Sequence, residues 1–99
     1  GTLNLLILRT LELEPRHGVA IADRIAAITR GTFVARPGSL FPALHRLEQE
    51  GAIVGAWTVQ DGRRLKTYRL TPAGRRQLAA GRRDWERVVE AMRLVLETE

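Results

Sequence analysis

Near its C-terminal end the chain places apolar residues at heptad-like intervals. Leu78, Trp85, Val88, Met92 and Val95 step by seven, three, four and three, and Val89 and Leu96 widen the stripe. Thr71-Pro72 marks the start of this helix, with Thr as N-cap and Pro as the first helical residue. A helix of about 25 residues, ending near Glu97, extends about 38 Å at 1.5 Å per residue. Ninety-nine residues make one domain with a modest core. The helix is therefore longer than the body it leaves, and its apolar side needs a partner. Gly74 and Gly81 weaken it locally.

The N-terminal end repeats that demand. Leu3, Leu5, Leu6, Ile7, Leu8, Leu11 and Leu13 surround most of a helix predicted over Thr2 to Leu13. A helix apolar on nearly all sides must be covered on more than one side. In so small a domain the second cover is expected from another subunit. Glu14 to Gly18 reads as a turn, with His17 as a cap or surface residue. Val19 to about Thr29 forms a second helix, with Ile21, Ala22, Ile25 and Ile28 as its stripe. Thr32-Phe33-Val34 is predicted as a short strand before the turn residues Pro37 and Gly38.

Ser39 to Glu50 is a third helix, with Ser39 as its N-cap and Gly51 closing it. Pro42 lies early enough to be tolerated. At about 100° per residue, Leu40, Ala43, Leu44 and Leu47 share one face. Pro42, His45, Arg46 and Gln49 share the opposite face, and Phe41 lies on the flank. Ile53 to Val59 and Leu65 to Leu70 are strands joined through Gln60-Asp61-Gly62-Arg63, which holds the Asp-Gly pair of a tight hairpin. Trp57 is expected in the core, bracing this ribbon, and Tyr68 is structural. The tip and return arm carry Arg63, Arg64, Lys66 and Arg69.

Charge follows the same geography. The net charge is +5, yet residues 61–83 alone carry seven Arg and one Lys against a single acid. The final 16 residues are net acidic. A cationic excess concentrated on one stretch is the footprint expected for a polyanion, with a solvated basic surface as the plain alternative. There are no cysteines, so disulfides, thiolate metal sites and cysteine nucleophiles are excluded. His17 and His45 are too few for a metal site. No paired carboxylates, nucleophile motif or phosphate-cradling loop points to an enzyme, and no cofactor is implied. No signal peptide is visible and no apolar run is long enough to cross a membrane, which fits a cytoplasmic protein. The chain opens at Gly1 rather than Met, which fits a missing short leader.

The expected fold is mainly α with an α+β wing: a winged helix-turn-helix over residues 1–70, continuous with a C-terminal dimerisation helix over 71–99. Its third helix has the size to enter a major groove. There Arg46 can pair with guanine in bidentate fashion, or else pair with Glu50 one turn on. Ser39 and His45 can donate to phosphate or bases, Phe41 and Pro42 can pack on a thymine methyl, and Gln49 shares the outward face. Arg63, Arg64 and Lys66 are expected on phosphates or in the minor groove. Arg75 and Arg76 can flank the DNA backbone, whereas Arg82 and Arg83 can instead meet Asp84, Glu86 or Glu90 of either subunit.

The residues also resemble a particular family, the PadR-type transcriptional regulators. The matching pieces are Gly1 to Leu8, His17 to Ile21, Gly38 to Glu48 and Tyr68 to Gly74, which are collinear and span nearly the whole chain. Phe41 and Val19 stand where that family favours Tyr, and Phe41 keeps the ring without the hydroxyl. The resemblance implies a homodimer built on the first and last helices, here Leu3, Leu6, Leu78, Trp85, Val88, Val89, Met92, Val95 and Leu96. It implies a repressor of a palindromic DNA operator, released by a small, often aromatic, molecule near the dimer interface. Trp85 is the residue to stack on such a ligand, with interface packing as its other reading. The competing function is a winged-helix dimer used for protein–protein assembly without specific DNA binding.

Overall fold

The computed structural model describes all 99 residues and resolves them into four helices and three strands. In chain order these are α1 (Thr2–Leu13), β1 (Arg16–His17), α2 (Gly18–Ile28), α3 (Pro37–Gln49), β2 (Ile53–Gln60), β3 (Arg63–Leu70) and α4 (Pro72–Leu96). This is the expected winged helix-turn-helix with a long last helix. The core unites Ile7, Leu8 and Leu11 of α1, Ile21 and Ile25 of α2, and Leu40, Ala43, Leu44 and Leu47 of α3. Ile53, Tyr68 and Leu78 close it from the sheet and from α4. No helix is long and apolar enough to cross a membrane.

Several local expectations change. α3 begins two residues early: Arg36 is its N-cap and Pro37 its first residue, so Ser39 lies inside the first turn and caps nothing. The fixed φ of Pro37 suits the first helical position. Pro42 consequently stands inside the helix rather than in its first turn. The N–H it lacks would have bonded the carbonyl of Gly38, which lies on the exposed side.

Thr32 to Val34 forms no strand. The backbone N–H of Phe33 instead donates to Thr29 Oγ1 at 3.1 Å, so the segment is tied to the end of α2. The third strand comes from the presumed turn: Arg16 pairs with Tyr68 and His17 with Thr67, giving the antiparallel order β1-β3-β2. His17 does cap α2, its Nδ1 accepting from the Ala20 N–H at 3.3 Å. The hairpin forms at Asp61 and Gly62, both with positive φ (52° and 76°), the geometry of a two-residue primed turn.

Leu78 is only 2% exposed within a single protomer and belongs to its core, so it leaves the set of seam residues. The first two turns of α4 still rest on the body, and the helix departs from it only afterwards. From Arg82 onward every residue of α4 is exposed, and the molecule measures 60 Å along its longest axis. Arg82 meets Glu12 of α1 at 3.8 Å rather than an acid of its own helix. Asp84 pairs with Arg87, and Glu90 with Arg93.

Candidate nucleic-acid interface

The amphipathic pattern of α3 decides which side chains face outward. Its four apolar residues are buried, and they anchor the helix against α1 and α2. Pro42, His45, Arg46 and Gln49 are all exposed on the other side, as are Ser39 and Phe41 nearer the start. Arg46 makes no ion pair; the contact with Glu50 that its spacing allows does not form. A guanidinium held on a rigid helix with its fork unused can meet a planar acceptor edge in two parallel hydrogen bonds.

The wing stands beside this helix. Arg63 and Arg64 are exposed and make no salt bridge. Lys66 is different. Its Nζ donates to Glu48 Oε1 at 2.8 Å, and Glu48 Oε2 accepts from the Gly55 N–H at 3.2 Å. One carboxylate of α3 therefore grips both strands of the wing. Lys66 is therefore not a free cation like Arg63 and Arg64: it is paired with Glu48, and both side chains are about 30% exposed (30% and 28%). The role of Glu48 was not visible in the sequence, because its partner lies 18 residues away across a hairpin.

The hydrogen bond from Lys66 holds the Glu48 carboxyl below its ordinary range, against an opposing push from desolvation. The same bond raises Lys66. A carboxyl with a depressed folded-state value stabilises the fold above its unfolded value and loses that contribution as pH falls through the folded value. Glu48→Gln is therefore expected to cost a few tenths to about 1 kcal/mol at neutral pH, as befits a partly exposed pair. That difference from the parent should begin to shrink as pH falls through 4.5, the carboxyl's ordinary value, and be lost only once pH lies below the depressed folded-state value. Urea denaturation in a series from pH 7 down to pH 2.5 measures it. A cost that persists at the lower pH would show that the carboxylate charge is not its source.

Trp57 overturns its expected place in the core. It is 61% exposed, and Arg64 lies over its ring with Cζ 4.9 Å from the centroid. Burial along β2 ends after Gly55, because the wing projects past the end of the core. Alternation shows which face of the strand Trp57 occupies but not how far the strand overhangs.

An apolar-anchored helix with a free cationic face, flanked by a two-stranded basic wing, defines the winged helix-turn-helix class. Residues 7–80 match the Transcriptional regulator PadR-like family, and the chain belongs to that family. It is a family of transcriptional regulators, not of enzymes. The chain is 44% identical over 70 residues to a transcriptional regulator of Mycobacterium tuberculosis, a match that covers 71% of this chain and 63% of that protein. Among solved structures it is similar to a PadR family transcriptional regulator from Eggerthella lenta, with a TM-score of 0.88 and 29% identity over 100% of this chain and 85% of that one. It is also similar to Bacillus subtilis PadR in complex with operator DNA, with a TM-score of 0.73 and 27% identity. That match covers 86% of this chain and 46% of the other.

Proposed function

We propose that the protein is a homodimeric, sequence-specific DNA-binding repressor of the cytoplasm, released from its operator by a small aromatic molecule. The observation that carries the DNA reading is the unpaired Arg46 on the exposed face of α3, beside the unpaired Arg63 and Arg64 of the wing. Ser39, Pro42, His45 and Gln49 complete the surface offered to a major groove, with Phe41 on its flank. The operator complex of the similar Bacillus subtilis protein supports this reading. The dimer reading rests on the exposed apolar stripe of α4, and a two-fold dimer would match a palindromic operator.

Trp85 lines a cleft of about 290 Å³ between the start of α1 and α4, beside Leu5 and Val88. A flat ligand seated there would bear on both interface helices. Release would then be a population shift away from the spacing of recognition helices that suits half-sites about 34 Å apart. The ligand must bind the two spacings with different affinity, since binding alone shifts nothing. A compound that quenches Trp85 without altering operator affinity would remove this part of the proposal.

Fluorescence anisotropy on DNA upstream of the protein's own gene, across a salt series, tests the main reading. A preference of about 10³ or more over an unrelated duplex, with a steep salt slope, is expected. Arg46→Ala should weaken operator binding by about 10- to 100-fold, the worth of a bidentate base contact. Binding to the unrelated duplex should change far less. Equal losses on both would remove base reading by Arg46, and no binding at low salt would favour the assembly function.

A further inference from the structure

Trp57 has no part in the surface described so far, yet it is the largest exposed side chain of the wing. In the antiparallel register Trp57 lies opposite Lys66, and Val59 opposite Arg64, on the strand face that also carries Tyr68. Of these, Trp57, Arg64, Lys66 and Tyr68 line a cleft of about 300 Å³ together with Phe41 of α3 and Val19 of α2. Phe41 is 46% exposed, and its ring lies on the first turn of α2. A Cβ at Gly18 would come within 2.9 Å of Phe41 Cε1, so only glycine leaves the ring that position.

The electrostatics of the cleft are one-sided. No Asp or Glu lines it. Lys66 is paired with Glu48, so the free cation of the lining is Arg64, whose guanidinium carbon lies over the Trp57 ring. His17 adds a second donor. Its Nδ1 accepts from Ala20, which keeps the ring proton on Nε2. The cleft thus has aromatic and aliphatic walls and a planar cation on its rim. It also lies between α3 and the wing. If α3 enters a major groove and the wing reaches the adjoining minor groove, what passes between them is one strand's backbone.

We propose that this cleft seats the sugar–phosphate backbone of one DNA strand. The rings of Trp57 and Phe41 lie against the C–H faces of deoxyribose, and Arg64 pairs with the phosphate. This inference rests on the DNA-binding reading and adds a sequence-independent site to it. Stacking on Trp57 holds the guanidinium ready, so less rotamer freedom is lost on contact. Phe41 serves here without a hydroxyl, because a sugar face needs an apolar wall.

The test uses the intact protein, an operator duplex and an unrelated duplex. Trp57→Ala should weaken both complexes about equally, by about tenfold, as expected for losing one buried ring from a backbone contact. Trp57→Phe should keep most of the affinity. Arg64→Ala should lower the salt slope by about one, and Trp57→Ala should leave it unchanged. The chain has two tryptophans. The quenching that duplex DNA causes in the parent but not in Trp57→Phe therefore reports Trp57 itself. If the parent binds DNA and both Trp57 variants bind as tightly with no difference in quenching, the cleft assignment falls while the DNA reading stands. A loss confined to the operator would overturn the backbone role in favour of base contact. Quenching of Trp57 by sodium benzoate, with none by DNA, would assign the cleft to small aromatic anions instead. No binding of either duplex at low salt would remove both the assignment and the reading beneath it.

Discussion

In sedimentation equilibrium, the double variant Val88→Glu, Met92→Glu is expected to run as an 11.1 kDa monomer where the parent runs at twice that mass. Beyond Gly81, α4 meets its own protomer through the Arg82–Glu12 pair and the cleft where Trp85 and Val88 face the start of α1, and every residue there stays exposed. Trp85, Val88, Val89, Met92, Val95 and Leu96 are between 48% and 78% exposed, although they align along one side. A free helix of this length is marginal in water, and most helical stability in proteins comes from packing an apolar face. Covering each Val, Leu or Met yields about 1.5–3 kcal/mol. Two such faces brought together across a two-fold axis therefore supply the missing support. The ion pairs Asp84–Arg87, Glu90–Arg93 and Arg93–Glu97 hold the polar positions of the same helix and leave the stripe uncharged.

Placing carboxylates at 88 and 92 puts four added charges on the seam of a symmetric dimer, two from each protomer, in the middle of its apolar stripe. Operator affinity should fall with the dimer, by about 10²–10⁴, because two half-sites would no longer be held by one molecule. Arg46 and the wing are untouched, so weak, salt-sensitive binding to DNA should remain. A variant that stays dimeric would show that the stripe is not the seam. A monomer that keeps full operator affinity would show that dimerisation is not what the operator reads.

The sequence resolved the features whose signal is local. Leu40, Ala43, Leu44 and Leu47 were assigned to the buried face of α3 from spacing alone, and all four are buried. Thr71-Pro72 and Asp61-Gly62 marked a helix start and a hairpin because capping and positive φ depend on one or two residues. What failed depends on contacts distant in sequence. A two-residue strand at Arg16–His17 is defined by its partner β3 and carries no periodicity of its own. The exposure of Trp57, the grip of Glu48 on Lys66 and the burial of Leu78 depend on where one element ends relative to another. The candidate site was legible to the same degree. The outward residues of α3 follow from its apolar stripe, whereas the wing cations look alike until the fold pairs Lys66 and leaves Arg63 and Arg64 free.

Gly74 and Gly81 make the same contrast measurable, since both look like equal weak points in a long helix. Gly74→Ala is expected to destabilise the protein by about 1–3 kcal/mol, the usual range for forcing extra volume into a packed site. At the scale of a domain this size, that lowers Tm by roughly 5–20 °C. Helix propensity alone predicts the opposite sign, a gain of about 0.8–1 kcal/mol for replacing glycine. The reason lies in how α4 is joined to the body. The Thr71 N–H donates to the Ala52 carbonyl at 3.1 Å, and the single hydrogen of Thr71 Oγ1 is shared between the carbonyls of Gly51 at 2.6 Å and Ala52 at 2.9 Å. The same hydroxyl oxygen accepts from the Gly74 N–H at 3.0 Å. This joint draws the first turn of α4 so close that a Cβ on Gly74 would stand 2.0 Å from the Ala52 oxygen. Backbone cannot rotate away as a side chain can, so α4 must tilt or the joint must open. At Gly81 the nearest atom to a new Cβ is Leu5 Cδ1, at 3.1 Å, the movable end of a side chain. Gly81→Ala should therefore be near neutral or slightly stabilising. Thermal unfolding of the two variants side by side measures the difference. Because α4 carries the proposed seam, a tilt at Gly74 would also change the spacing of the recognition helices. Its operator affinity should then fall more than its binding to unrelated DNA, and a Gly74→Ala protein as stable as Gly81→Ala would refute the joint as the origin of both effects.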